Sequence, residues 1–323
     1  MKKRKNKRIL TAAVLSAAVL TGCAARIPAE DTVILPNELY SIEDEAVALA
    51  DSPAAIPTSV SAEAAGELVK KNSYAEIDYS GAESGYVMVR YLAATEQRLK
   101  VQLSGPTTKY TYNLTPETWE TFPISDGSGE YRISIFRNVE GNKYAAVLSL
   151  TVKIELESEF APFLHSNQYV DYDAAPETVA MAEELLADTD KTVEKVALIY
   201  DYVISNLSYD KEQAATVKSG YLPVLDEVLE KKSCICFDYA ALMTGMLRSN
   251  GIPCKLVVGY AGTAYHAWIS VWTEESGWID GAIFFDGESW QRMDPTFASS
   301  AGASEEIMRY IGDGANYSAK YFY

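Results

Sequence analysis

The chain has 323 residues, 48% hydrophobic and 23% charged, with 19 Gly and 12 Pro. This composition leaves room for two cores and excludes disorder throughout, collagen-like sequence and a disulfide-dense mini-scaffold. The formal net charge of −17, from 28 basic and 45 acidic residues, argues against a nucleic-acid partner.

Six of the basic residues (Lys2, Lys3, Arg4, Lys5, Lys7, Arg8) crowd the first positions, where there is no acid. The apolar stretch Ile9 to Gly22 follows. It is short for a bilayer span and suits a secretory signal. The stretch ends Leu20-Thr21-Gly22-Cys23, which resembles a bacterial lipoprotein signal. The resemblance implies cleavage after residue 22, lipidation of the Cys23 thiol and anchoring on the extracytoplasmic face of a bacterial cell membrane. Losing six basic and no acidic residues would take the net charge from −17 to −23. Residues 23–67 carry scattered prolines and acids such as Glu43-Asp44-Glu45 without a sustained period, as in an acidic flexible tether.

Over residues 68–157 the pattern is short β runs with turn signals. They are Tyr74 to Tyr79, Tyr86 to Tyr91, Arg98 to Leu103, Tyr110 to Leu114, Glu117 to Phe122, Tyr131 to Phe136 and Tyr144 to Leu156. Glu140-Gly141-Asn142 reads as a hairpin turn. About seven strands in this length predict an immunoglobulin-like β-sandwich. It holds no cysteine and no histidine, so a binding or spacer role is expected, with no partner legible.

Residues 158–323 change period. Pro176 opens a helix to about Ala187, and Asp190 caps a second with Val193, Val196, Ala197, Tyr200, Ile204 and Leu207 on one face. A third, amphipathic helix follows Cys236, with Tyr239, Leu242, Met243, Met246 and Leu247 in phase. Asn250-Gly251 closes it and Pro253 prevents its resumption. Strands come next, over Lys255 to Tyr260, Tyr265 to Trp272, Ala282 to Phe285 and Ser289 to Met293. Helices followed by hairpin-spaced strands predict an α+β domain, helices packed on an antiparallel sheet. The aromatic run Tyr317 to Tyr323 predicts a docked tail.

The four cysteines are Cys23, Cys234, Cys236 and Cys254, and the two histidines His165 and His266. Cys236 enters the long helix, where N–H groups of the first turn favour a thiolate. His266 begins a strand, a rigid place for a base, and Asp294 ends the later strand pair, where a carboxylate can orient an imidazole. His165 lies at the junction between domains and reads as structural.

Ser233-Cys-Ile-Cys236-Phe-Asp-Tyr-Ala-Ala-Leu-Met243, Gly251-Ile-Pro-Cys-Lys-Leu-Val-Val-Gly-Tyr260, Tyr265-His-Ala-Trp268 and Met293-Asp-Pro-Thr-Phe297 resemble the core of the transglutaminase-like superfamily. The resemblance covers about Val179 to Phe297. It implies a papain-like arrangement with Cys236 as nucleophile, His266 as base and Asp294 as orienting acid. It departs at Cys234, where the family usually has glycine. That second thiol reads as a passive small residue, with a redox switch or the true reactive group as alternatives. A Cys234–Cys254 disulfide and a metal site from the same thiols and His266 are the other uses of these groups; no metal or other cofactor is expected. The Cys236 N–H and Tyr209 are the oxyanion candidates, and Tyr260 and Trp268 the cleft candidates.

The expected function is cleavage or transfer of amide bonds in a peptide or protein through a thioester. Peptidase, deamidase and cross-linking enzyme differ only in whether water or an amine resolves it. The competing expectation is a surface binding or scaffold protein that keeps the triad without turnover.

Overall fold

A computed structural model describes residues 61–274, 277–280, 283–285, 290–292 and 317–323. The signal, Cys23, most of the tether and Asp294 lie outside the described residues. The architecture is mixed, with several sheets and few helices. Among the described residues no helix is long and apolar enough to cross a membrane.

The N-terminal part has eight strands: β1 (Val69–Lys71), β2 (Ala75–Asp78), β3 (Tyr86–Tyr91), β4 (Leu99–Ser104), β5 (Lys109–Leu114), β6 (Glu120–Pro123), β7 (Gly129–Glu140) and β8 (Lys143–Ile154). They form two antiparallel sheets, ordered β1-β2-β3-β6 and β5-β4-β7-β8. Strand β5 buries Tyr110, Tyr112 and Leu114 and exposes the residues between, the alternation of a sheet with one covered face. Tyr112 meets Phe122 of β6 with ring centroids 5.0 Å apart, so the two sheets share a core. Gly141 turns the β7–β8 hairpin at φ 52°, as expected. Residues 61–67, the end of the predicted tether, are held by hydrogen bonds from Ser61 to Asp173 and from the Gly66 N–H to Asp78.

The C-terminal part begins with a 3-10 turn at Ala161–Phe163, then α1 (Pro176–Leu186) and α2 (Thr192–Asn206). Lys191, not Asp190, occupies the N-cap of α2, and no side chain caps it. The buried face of α2 is Val196, Ile199, Tyr200 and Val203, rotated from the predicted stripe. Four short elements escape the periodicity: β9 (Ser208–Tyr209), α3 (Lys211–Thr216), α4 (Leu225–Lys231) and β10 (Ser233–Cys234). They lead into α5 (Cys236–Arg248). The predicted amphipathic helix is instead covered on all sides: every residue except Phe237 is buried. Helices α1, α2 and α4 pack against it, as do β11 (Cys254–Ala261) and β12 (Ala264–Thr273). A helix so enclosed has no solvent face to keep polar.

β13 (Gly277–Asp280), which the sequence reading missed, pairs with β12. β14 (Ile283–Phe285) and β15 (Trp290–Arg292) form a separate hairpin. The aromatic tail forms β16 (Tyr317–Phe322) and pairs with β11, giving an antiparallel sheet ordered β13-β12-β11-β16. Tyr323 places its ring 5.8 Å from Tyr112 and 4.4 Å from Tyr169, tying this sheet to the N-terminal strands. His165 adds a second tie: Nε2 lies 2.9 Å from the Ser84 carbonyl and its ring 4.7 Å from that of Tyr86.

Candidate active site

Cys236 is the first residue of α5, and Ile235 at the N-cap has extended backbone geometry. Ile235 brings no side-chain acceptor, so the cap comes from the third helical residue: Asp238 accepts the Ile235 N–H at 2.9 Å. The N–H groups of the first turn then point out of the helix end, where Cys236 stands. Cys236 is 6% exposed and His266 4% exposed.

His266 pairs across from Gly259 of β11, which in turn pairs with Ala319 of β16. A Cβ on Gly259 would lie 2.1 Å from the Ser318 carbonyl oxygen and 2.9 Å from the Trp268 ring. Only glycine admits β16 and the indole this closely. Ala267, Ile269 and Val271 belong to the core shared with α5, and alternation puts His266 and Trp268 on the opposite face. Their rings lie 6.2 Å apart and nearly parallel, with Tyr317 at 6.4 and 5.2 Å. The face of β12 that bears His266 is therefore not the one packed on α5.

Tyr265 projects from the other face and is packed against the core. Burial first, then Tyr321, Tyr169, Tyr260 and the sulfur of Cys236, push its phenol well above the ordinary range. Tyr265 is thus within electrostatic reach of Cys236. Tyr260 is 42% exposed and edges onto Tyr265 with centroids 5.5 Å apart, while Trp268 is buried. Tyr209 is carried by β9, which pairs in parallel with β10 and sets Tyr209 opposite Cys234. Of the two cleft candidates only Tyr260 is open to solvent; Tyr209 is brought to the loop that leads into Cys236.

None of Cys234, Cys236 and Cys254 is in a disulfide, so the Cys234–Cys254 bridge left open by the sequence is not formed. Cys254 instead lies with Sγ 3.5 Å from Thr244 Oγ1. Burial pushes its thiol up to about 11. Cys234 is 1% exposed, and burial, then the charge of Asp238, hold its thiol far above the ordinary value. Both should stay protonated and slow toward iodoacetamide at neutral pH while the fold is intact, checked by mapping alkylated peptides before and after denaturation. Rapid native labelling of Cys234 would instead make it the reactive thiol. Among the described residues no group of three or more His, Cys, Asp or Glu is placed to hold a metal ion.

Sequence reasoning missed Asp238 and its partners. Tyr221 donates to Asp238 Oδ1 at 2.7 Å, and Gln213 lies 3.4 Å from Oδ2. The acid two residues after Cys236 was legible; its burial and distant partners were not.

Residues 179–295 match the family model described as Transglutaminase-like superfamily. The chain carries a transglutaminase-like domain. It is similar to the uncharacterized protein YebA of Bacillus subtilis, 28% identical over 183 residues, covering 50% of this chain and 25% of that protein. It is also similar to the protein-glutamine gamma-glutamyltransferase of Pseudomonas aeruginosa, 29% identical over 119 residues, covering 32% of this chain and 17% of the other. The matches thus span a quarter or less of these relatives. Among solved structures, the periplasmic domain of TgpA from Pseudomonas aeruginosa aligns at 18% identity and TM-score 0.33, covering 70% of this chain and 95% of that one.

Proposed function

We propose that the chain is a lipid-anchored, extracytoplasmic thiol enzyme that cleaves or transfers amide bonds in peptides or proteins. The observation that carries this reading is Cys236 at the buried start of α5, packed on the strand that bears His266, within a transglutaminase-like domain. The thiolate attacks the carbonyl carbon and forms a thioester as the C–N bond breaks. His266 gives its proton to the departing amine, and Asp294 orients the ring. The Cys236 N–H, with Tyr209 as a side-chain candidate, stabilises the oxyanion. His266 then takes a proton from water, which attacks the thioester and releases the acid.

The reading includes a signal over residues 1–22, Cys23 as the lipidated residue and a tether over 23–67. Residues 68–157 form an immunoglobulin-like sandwich. The orders β1-β2-β3-β6 and β5-β4-β7-β8 support that label, since the chain crosses between the sheets from β3 to β4, from β5 to β6 and from β6 to β7, as in a Greek key. Residues 158–323 are the catalytic domain.

Water is the default acceptor, so hydrolysis should outrun transfer. Purified protein is incubated with casein and a dansylated primary amine. Release of new amino termini with little dansyl incorporation supports a peptidase, and ammonia release without cleavage supports a deamidase. Dominant dansyl incorporation overturns the choice of water. None of the three signals overturns the enzymatic reading in favour of a binding protein.

A further inference from the structure

A polar chain that runs from the exposed Lys231 to a buried carboxylate behind the thiol-bearing loop is not used by the triad. Lys231 Nζ donates to Gln213 Oε1 at 3.0 Å, and Gln213 Nε2 donates to the Tyr221 hydroxyl at 3.3 Å. Tyr221 donates to Asp238 Oδ1, and Asp238 Oδ2 accepts the Ile235 N–H. Three segments meet at one carboxylate, α3 through Gln213, the α3–α4 connection through Tyr221 and the start of α5 through the Ile235 N–H, and Lys231 of α4 joins through Gln213. Asp238 is 1% exposed. Burying a carboxylate is costly unless its oxygens are well bonded, and a Ser or Thr at the N-cap, which accepts from the N2 or N3 N–H, would leave the Ile235 N–H itself unbonded. What the buried carboxylate adds is rigidity. With the Ile235 N–H tied down, the peptide planes around residues 234–236 are set, and so is the direction in which the Cys236 N–H and sulfur leave the helix end.

We propose that Asp238, locked by Tyr221 and Gln213, is a positioning residue that aims the Cys236 thiol and N–H for attack. The proposal rests on Cys236 being the nucleophile. The titratable groups facing Asp238 are Tyr221, Cys234 of β10, Asp210 at the N-cap of α3 and Lys231 of α4. Cys236 adds to the upward push on the phenol of Tyr265 of β12, the strand that also bears His266.

The test is the rate of iodoacetamide alkylation at Cys236, followed by mass spectrometry on the full chain from about pH 5 to about pH 10. Asp238→Ala and Asp238→Asn remove the same charge, but only Asn keeps an acceptor for the Ile235 N–H. The Ala variant should therefore titrate about half a unit above the Asn variant and react about threefold more slowly below its midpoint. Tyr221→Phe keeps the charge and the ring beside Phe237 and loses only the lock, so its midpoint should rise above wild type. It carries the test if the Asp238 variants do not fold. Coincident Ala and Asn profiles, with Tyr221→Phe at the wild-type midpoint, overturn the positioning role while a reactive wild-type Cys236 keeps the nucleophile. An inert wild-type Cys236 overturns the nucleophile reading itself.

Discussion

Cys236→Ala should lower amide-bond turnover at least about 10³-fold, because the thioester route has no substitute nucleophile. The neighbouring thiols do not rescue it: Cys254 is fully buried against Thr244, and Cys234 is kept protonated by burial and by Asp238. The fold should be nearly unaffected, since removing one sulfur atom deletes little apolar surface. His266→Ala should cost a similar factor. The double variant should be little worse than either single one, because members of one catalytic unit are not additive. Initial rates on casein for wild type, both single variants and the double variant decide it. Full activity in Cys236→Ala would end the catalytic assignment, and independent additive losses would separate His266 from the thiol.

The second large effect is on stability. Arg248 is the last residue of α5 and is wholly buried. Its Nε donates to the Cys254 carbonyl at 2.8 Å, Nη1 to that of His165 at 2.8 Å and Nη2 to the main-chain oxygen of Tyr323 at 2.5 Å. One guanidinium thus joins the end of α5, the start of β11, the junction segment and the end of β16. Burial lowers its pKa to about 10, still charged at neutral pH. Replacing a buried ion pair as a unit by apolar groups is often harmless, but these acceptors are main-chain oxygens that stay behind in any variant. Arg248→Met should therefore cost about 3–5 kcal/mol, since each acceptor left without its donor costs about 1–3 kcal/mol, read as a fall in the urea midpoint with the slope unchanged. Arg248→Lys should recover only part, because an ammonium lacks the planar fork that reaches three directions. A loss below about 1 kcal/mol would show that solvent reaches these oxygens.

Much of the secondary structure was legible from local pattern. Alternation marked the strands from Tyr86 to Ile154, and Pro176, Gly251 and Pro253 marked helix ends whose causes lie within a turn of the chain. What escaped was short or paired at a distance. β9 and β10 have two residues each and pair in parallel across 25 positions, as Ser208 with Ser233. No periodicity exists at that length. The N-cap of α2 slipped by one residue to Lys191 because packing of Val196, Ile199 and Val203, not a capping bond, sets its start.

The candidate chemistry divides the same way. The sequence alone determined the order Cys236, His266, Asp294, the placing of the first at a helix start and the second on a strand, and the lack of cysteine and histidine in residues 68–157. Those features depend on residue type and local spacing. Only the tertiary structure decided that Cys234 and Cys254 stay unjoined, that Tyr265 shares an electrostatic environment with Cys236, and that Asp238 and Arg248 are buried. In sequence, an acid in a first helical turn and a base in the last look like solvated ends favoured by the helix dipole. Whether such a charge meets water or protein depends on what arrives from far along the chain: Gln213 and Tyr221 for one, His165 and Tyr323 for the other.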